Sequence, residues 1–122
     1  MKIKESAENY LETILVLSRK KNDVRAIDIA NEMGFSKPSV SVAMKNFREA
    51  GYVSVDDDGF IRLTQKGMEV AEKIYERHNV IAGFLIAIGV DEQTAYDDSC
   101  KIEHCLSDAT FEKLKEFLES NK

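Results

Sequence analysis

Cys100, Glu103 and His104 stand at i, i+3 and i+4, the spacing that puts three side chains on one face of a helix. A thiolate, a carboxylate and an imidazole are mutually compatible ligands for a divalent transition-metal ion. Near the other end of the chain, Asn9 and Glu12 are likewise i and i+3, so two helices lying side by side would gather five oxygen, nitrogen and sulfur donors. Taken alone, each cluster reads equally well as an ordinary polar face. A thiol one turn from an imidazole also describes a nucleophile and its base, which would make Cys100 and His104 the centre of a cysteine-dependent enzyme. Against that reading, no glycine-rich oxyanion loop and no third group to orient the imidazole are recognisable. Cys105 would lie about 7.5 Å along a helix axis from Cys100 and on another face, so the two are not placed to pair. A reducing compartment follows, and Cys105 reads as packing.

A second constellation begins at Ser36. A helix that enters the major groove needs short or polar residues near its N-terminus and basic groups that reach flanking phosphates. Ser36, Lys37, Pro38, Ser39, Ser41, Lys45 and Arg48 supply that set. Ser36 is available as N-cap, and Pro38 is tolerated in the first turn, where its missing N–H is no loss. In any α-rich domain the same serines would serve as caps and the lysines as solvated charge; the neighbouring elements favour the DNA-reading alternative.

Those elements follow from hydrophobic periodicity. Tyr10, Leu11, Ile14, Leu15 and Leu17 form the apolar stripe of a helix over 6–20. A shorter helix over 25–33 buries Ile27, Ile29, Ala30 and Met33 and stops at Gly34. The helix opened by Ser36 runs to about Ala50, with Val40, Met44 and Phe47 inward. Tyr52, Val53 and Val55, then Phe60, Ile61 and Leu63, flank Asp56-Asp57-Asp58-Gly59 in the pattern of a β-hairpin. The aspartates repel phosphate and read as a tight turn rather than a metal site, which leaves Arg62 as the positive group of the hairpin. From Thr64 a long helix carries Met68, Ala71, Ile74, Tyr75, His78, Ile81, Phe84, Leu85 and Ile88 to Gly89. Helices over 91–106 and 108–120 complete the chain. The expected architecture is mainly α: a winged helix-turn-helix with a hairpin wing over 1–64, then a helical domain over 65–122.

The chain has 122 residues, 43% of them hydrophobic, and a formal charge of −5. Thirteen basic and thirteen acidic side chains balance over 1–90, whereas 91–122 carries four basic and nine acidic ones. The acidity is thus confined to the last quarter, and a DNA contact would rest on a local basic face. No run of eighteen apolar residues exists, and the start, with Lys2, Lys4, Glu5 and Glu8, fits neither a membrane span nor a signal peptide. A cytoplasmic protein with no membrane partner is expected.

Order and spacing together resemble the diphtheria-toxin-repressor family of metal-dependent regulators, with its iron-sensing and manganese-sensing branches. The resemblance runs from Glu8-Asn9-Tyr10-Leu11-Glu12 through Ser36-Lys37-Pro38-Ser39-Val40-Ser41 and Ile88-Gly89-Val90-Asp91 to Ile102-Glu103-His104-Cys105-Leu106-Ser107. It implies an N-terminal winged helix, a helical dimerisation domain, a metal site joining the first helix to the later ones, and repression at a palindromic operator in double-stranded DNA. Cys100, Glu103 and His104 match ligand positions of the family; Glu12 matches one in the manganese branch, and a cysteine at 100 is the choice of the iron branch. Asn9 departs from the methionine or aspartate of the two branches. His78 matches a histidine of a second metal position, which bridges to the main site or simply packs, while Ala82 and Tyr96 replace that position's other ligands. The resemblance names Fe(II) or Mn(II) as cofactor; by ligand type Zn(II), Co(II) and Ni(II) are compatible. Asn9, Ala82 and Tyr96 also suit a regulator that no longer needs metal. A homodimer is expected through Ile81, Phe84 and Leu85 with Phe111, Leu114, Phe117 and Leu118. The resemblance is to the shorter manganese-type branch, for which the SH3-like third domain of longer members is not expected.

Overall fold

The computed structural model describes residues 5–120, so Lys2 and Lys4 lie outside the described residues. The chain divides into two compact units, Met1–Glu72 and Lys73–Lys122. The expected division after residue 64 falls at the start of a helix, and the compact units divide inside that helix.

The first unit holds α1 (Glu5–Lys21), α2 (Ala26–Met33), α3 (Lys37–Glu49), β1 (Val53–Val55), β2 (Ile61–Leu63) and the first two turns of α4 (Gln65–Ala87). On α1, Tyr10, Leu11, Ile14, Leu15 and Leu17 are buried as their spacing predicts, each aliphatic side chain removing from water an area that stabilises by roughly 1.5–3 kcal/mol. The Tyr10 ring packs against Phe35 and Phe47, both at 5.6 Å. Asn22 closes α1 in the left-handed region at φ 65, a conformation its short polar side chain tolerates better than most. On α2, Ile29 and Ala30 are buried but Ile27 is 43% exposed, contrary to expectation. Two positions from Ile29 on a helix of 3.6 residues per turn, Ile27 points to the opposite side.

Ser36 caps α3 by accepting from the Ser39 N–H at 3.3 Å, and Val40 and Met44 face inward while Phe47 is half-buried. The strands pair antiparallel, Val53 opposite Leu63 and Val55 opposite Ile61. The Asp56 carboxylate accepts from the N–H groups of Asp58 and Phe60 at 2.9 and 3.0 Å, so it builds the turn. Ile61 also donates its N–H to the Val24 carbonyl at 2.7 Å, which ties the hairpin to the α1–α2 connection. Thr64 caps α4, its hydroxyl accepting from the Gly67 N–H and donating to the Gly51 carbonyl. Gly67 is obligatory there, because a Cβ would stand 2.0 Å from the Tyr52 carbonyl oxygen.

The second unit holds the rest of α4, α5 (Glu92–Ile102) and α6 (Asp108–Ser120). Ile74, Arg77, Ile81 and Ala82 of α4, Ala95 and Ser99 of α5, and Phe111 of α6 are buried. Asp91 caps α5 through the Thr94 N–H at 3.1 Å, and this hydrogen bond holds its carboxyl below the usual range. α5 ends at Ile102, four residues short of the expected Leu106. The chain turns at 103–105, with the Cys105 N–H on the Ile102 carbonyl at 2.9 Å, and Ser107 caps α6 through the Thr110 N–H at 3.2 Å. Among the described residues no helix is long and apolar enough to cross a membrane.

Candidate functional site

In the second unit, α4 supplies His78 and the end of α5 supplies Cys100 and Glu103. The His78 Nδ1 lies 2.9 Å from Glu103 Oε2 and 3.7 Å from the Cys100 sulfur. Although α5 has ended, Glu103 keeps helical backbone angles and its N–H still reaches the Ser99 carbonyl at 3.0 Å. Its carboxylate therefore continues the face that Cys100 begins. His104 follows in the turn, past the helix on which its expected position was based, yet its Nε2 lies 3.3 Å from Glu103 Oε1. The side chains of Glu103 and His104 are 0% and 2% exposed, and that of His78 is 17% exposed.

Glu103 Oε1 is the telling atom. It is buried and makes no hydrogen bond to any described residue, for the His104 nitrogen stands within ion-pair range without hydrogen-bonding geometry. Removing a carboxylate oxygen from water is costly unless something positive or a donor meets it. A buried carboxylate with an orphan oxygen, two imidazoles and a thiol are ligand types that suit a divalent transition-metal ion.

Of the three departures noted in the sequence, the two at positions 82 and 96 have visible consequences. Ala82 is buried and brings no donor. Tyr96 packs its ring on His78, centroids 5.4 Å apart, so it braces the imidazole in this cluster. Ser99, which periodicity alone gives no reason to single out, donates its hydroxyl to the His78 carbonyl at 2.6 Å and so fixes α4 against α5 beside the donors. No disulfide joins Cys100 and Cys105, and Cys105 contacts the Lys101 carbonyl at 3.6 Å. Asn9 and Glu12 lie on α1 of the first unit, both half-buried.

On α3, Ser36, Lys37, Pro38, Ser39, Ser41, Lys45 and Arg48 are all exposed. Ser41, Lys45 and Arg48 line one wall of a cavity of about 260 Å³ whose other wall is the hairpin at Val55, Gly59 and Ile61. Arg62 is exposed and pairs with Asp23 at 3.3 Å, a surface contact too weak to hold it from another partner. Sequence reasoning passed over Val42, which is 60% exposed beside Ser41; its only signal was an apolar residue outside the Val40–Met44 stripe.

Of the expected dimer residues, Ile81 and Phe111 are buried within the chain at 2% and 6% exposure and serve the core of the second unit. Phe84, Leu85, Leu114 and Leu118 are half-buried, and Phe84 meets Phe117 at 6.0 Å. Phe117, Ile86 and Ile88 are exposed.

Two family models cover nearly the whole chain: the iron dependent repressor N-terminal DNA binding domain matches residues 2–59, and the iron dependent repressor metal binding and dimerisation domain matches residues 64–122. The chain belongs to this diphtheria-toxin-repressor family of metal-dependent transcriptional regulators. It is 37% identical over 120 residues to an uncharacterised helix-turn-helix-type transcriptional regulator of Methanocaldococcus jannaschii, covering 97% of this chain and 96% of that one. It is 31% identical over 114 residues to the transcriptional regulator MntR of Bacillus pumilus, covering 93% and 79%. The solved manganese regulator SloR matches with a TM-score of 0.80 at 30% identity, over 93% of this chain and 53% of that one. The chain thus spans about half the length of that solved regulator. Members of the family are regulators and not enzymes, which sets aside Cys100 as a nucleophile. The fold is the expected one, a winged helix followed by a helical domain.

Proposed function

We propose that this protein is a cytoplasmic repressor of metal-uptake genes, binding a palindromic operator as a homodimer when loaded with Fe(II) or Mn(II). The observation that carries the metal dependence is Glu103: a buried carboxylate with an unsatisfied oxygen, gathered with His78, Cys100 and His104. These four side chains would hold the ion, whose charge would offset that of the carboxylate and the deprotonated thiol. Asn9 and Glu12 enter the donor set on their i, i+3 spacing and on the family resemblance, as the residues through which metal loading would be sensed by the DNA-reading unit. A thiolate favours Fe(II), with Zn(II), Co(II) and Ni(II) as competitors, over Mn(II).

In this reading residues 1–64 read DNA. The N-terminal turn of α3 enters the major groove with Ser36, Pro38, Ser39 and Ser41 toward base edges, Val42 toward a thymine methyl, and Lys37, Lys45, Arg48 and Arg62 toward phosphates. Residues 65–122 bind metal and pair the protomers through Phe84, Leu85, Leu114, Phe117 and Leu118, which sets the two α3 helices about 34 Å apart, one turn of DNA. Chelator-stripped protein incubated anaerobically with a random duplex pool, with and without Fe(II), Mn(II) or Zn(II), tests this. One ion should enrich a palindrome; equal enrichment without metal would favour the regulator that no longer needs it.

A further inference from the structure

The residue next to His78 grips the other end of the same ligand. Arg77 lies in the buried stripe of α4, its side chain 7% exposed. Its Nη1 donates to the Glu103 carbonyl at 3.1 Å and to the Leu106 carbonyl at 2.7 Å, and its Nη2 donates to the Asp108 carboxylate. The guanidinium also lies over the Phe111 ring, 5.2 Å from its centroid. Past the end of α5, a cation from α4 thus meets the carbonyl of Glu103, the C-cap, and that of Leu106 in the connection to α6. The same cation reaches the first residue of α6, so one side chain holds the end of α5, the 103–107 turn and the start of α6.

This arrangement costs stability. A charged group is withdrawn from water, and the buried Arg77 Nε has no hydrogen-bond partner among the described residues. An apolar side chain of similar size would fill the stripe without that cost. What an apolar residue would not do is fix the backbone of Glu103 while His78 Nδ1, one residue along α4, meets its carboxylate at 2.9 Å.

We propose that Arg77 is a positioning residue for the metal centre, setting Glu103 and His104 by clamping the α5–α6 turn from which both project. The inference rests on the metal site argued above. Groups that orient ligands in this way typically govern metal affinity by 10–100-fold.

The test uses Co(II) alone as probe, with the full chain, reading dissociation constant and the intensity of the thiolate-to-cobalt absorption. Wild type against Glu103→Gln first establishes the site: if Glu103→Gln binds Co(II) as wild type does, the metal-site reading fails, whatever Arg77 does. Given that site, Arg77→Met should weaken Co(II) binding about 10-fold or more and alter the absorption band, with Arg77→Lys partly restoring both. A folded Arg77→Met with wild-type affinity and spectrum overturns the proposal even if its melting temperature falls. Should Arg77→Met fail to fold, Asp108→Asn, which loosens the guanidinium from outside the site, decides: weaker Co(II) binding supports the clamp and unchanged binding overturns it.

Discussion

A carboxylate of 0% exposure with one oxygen unsatisfied is the residue-scale fact from which the functional account grows. Glu103, Cys100 and His104 were legible in the sequence because ligand types at helical spacing are a local signal. Arg77 was not, because a 3.6-residue reading of α4 registers arginine as an interruption of the apolar stripe, and only the fold reveals the carbonyls it meets. At this scale the α3 face yields a prediction with two arms. Lys45→Ala should weaken DNA binding on all sequences and lower the salt slope by about 1, whereas Val42→Ala should relax preference for thymine at one position per half-site. Binding titrations over a salt series and on substituted sites check both; identical behaviour of the two variants would contradict the assigned roles.

Elements were legible where their ends are written locally. Ser36 with Pro38 starts α3, Gly34 ends α2, and the Asp56 turn makes the hairpin, each by chemistry within four residues. α5 ends early because of tertiary hydrogen bonds from α4, which no neighbouring residue announces. Ile27 was misplaced because a short helix leaves its inward direction to be decided by packing. Gly67 shows the same dependence on tertiary structure, and Gly67→Ala should cost roughly 1–3 kcal/mol as the Tyr52 backbone shifts. Chemical denaturation measures that, and a cost under half a kilocalorie would mean that the hairpin does not abut α4 as described. A pH effect belongs to α2, where Lys21 and the Arg25 N–H hold the Asp28 carboxyl below the ordinary range. Asp28 in its ionised form therefore stabilises the first unit above the unfolded value near pH 3.9, and this contribution fades as pH falls through the lower folded value. Asp28→Asn should cost on the order of 1 kcal/mol at pH 7 and progressively less as pH is lowered from 5 toward 3. A constant difference in urea unfolding across that range would contradict the linkage.

At the scale of the whole molecule, exposed apolar side chains occur on both units, Ile27, Phe35 and Val42 on the first and Ile86, Ile88, Tyr96 and Phe117 on the second. The basic residues of α3 belong to the first unit, and on the second Phe117 is 57% exposed beside Phe84. Phe117 belongs to the dimer set expected from the sequence, whereas Ile81 and Phe111 of that set lie in the unit's own core. Phe117→Glu should leave each unit folded and convert the dimer to monomer at micromolar concentration, as sedimentation would show; an unaltered dimer would move the interface elsewhere. The central claim is that metal held around Glu103 controls DNA affinity. Anaerobic, chelator-stripped wild type and Glu103→Gln should be titrated onto the selected duplex at fixed salt, with and without the activating ion. Metal should raise wild-type affinity at least tenfold, about 1.4 kcal/mol of coupling, and leave Glu103→Gln unmoved, whereas an equal metal response in both proteins would contradict the account.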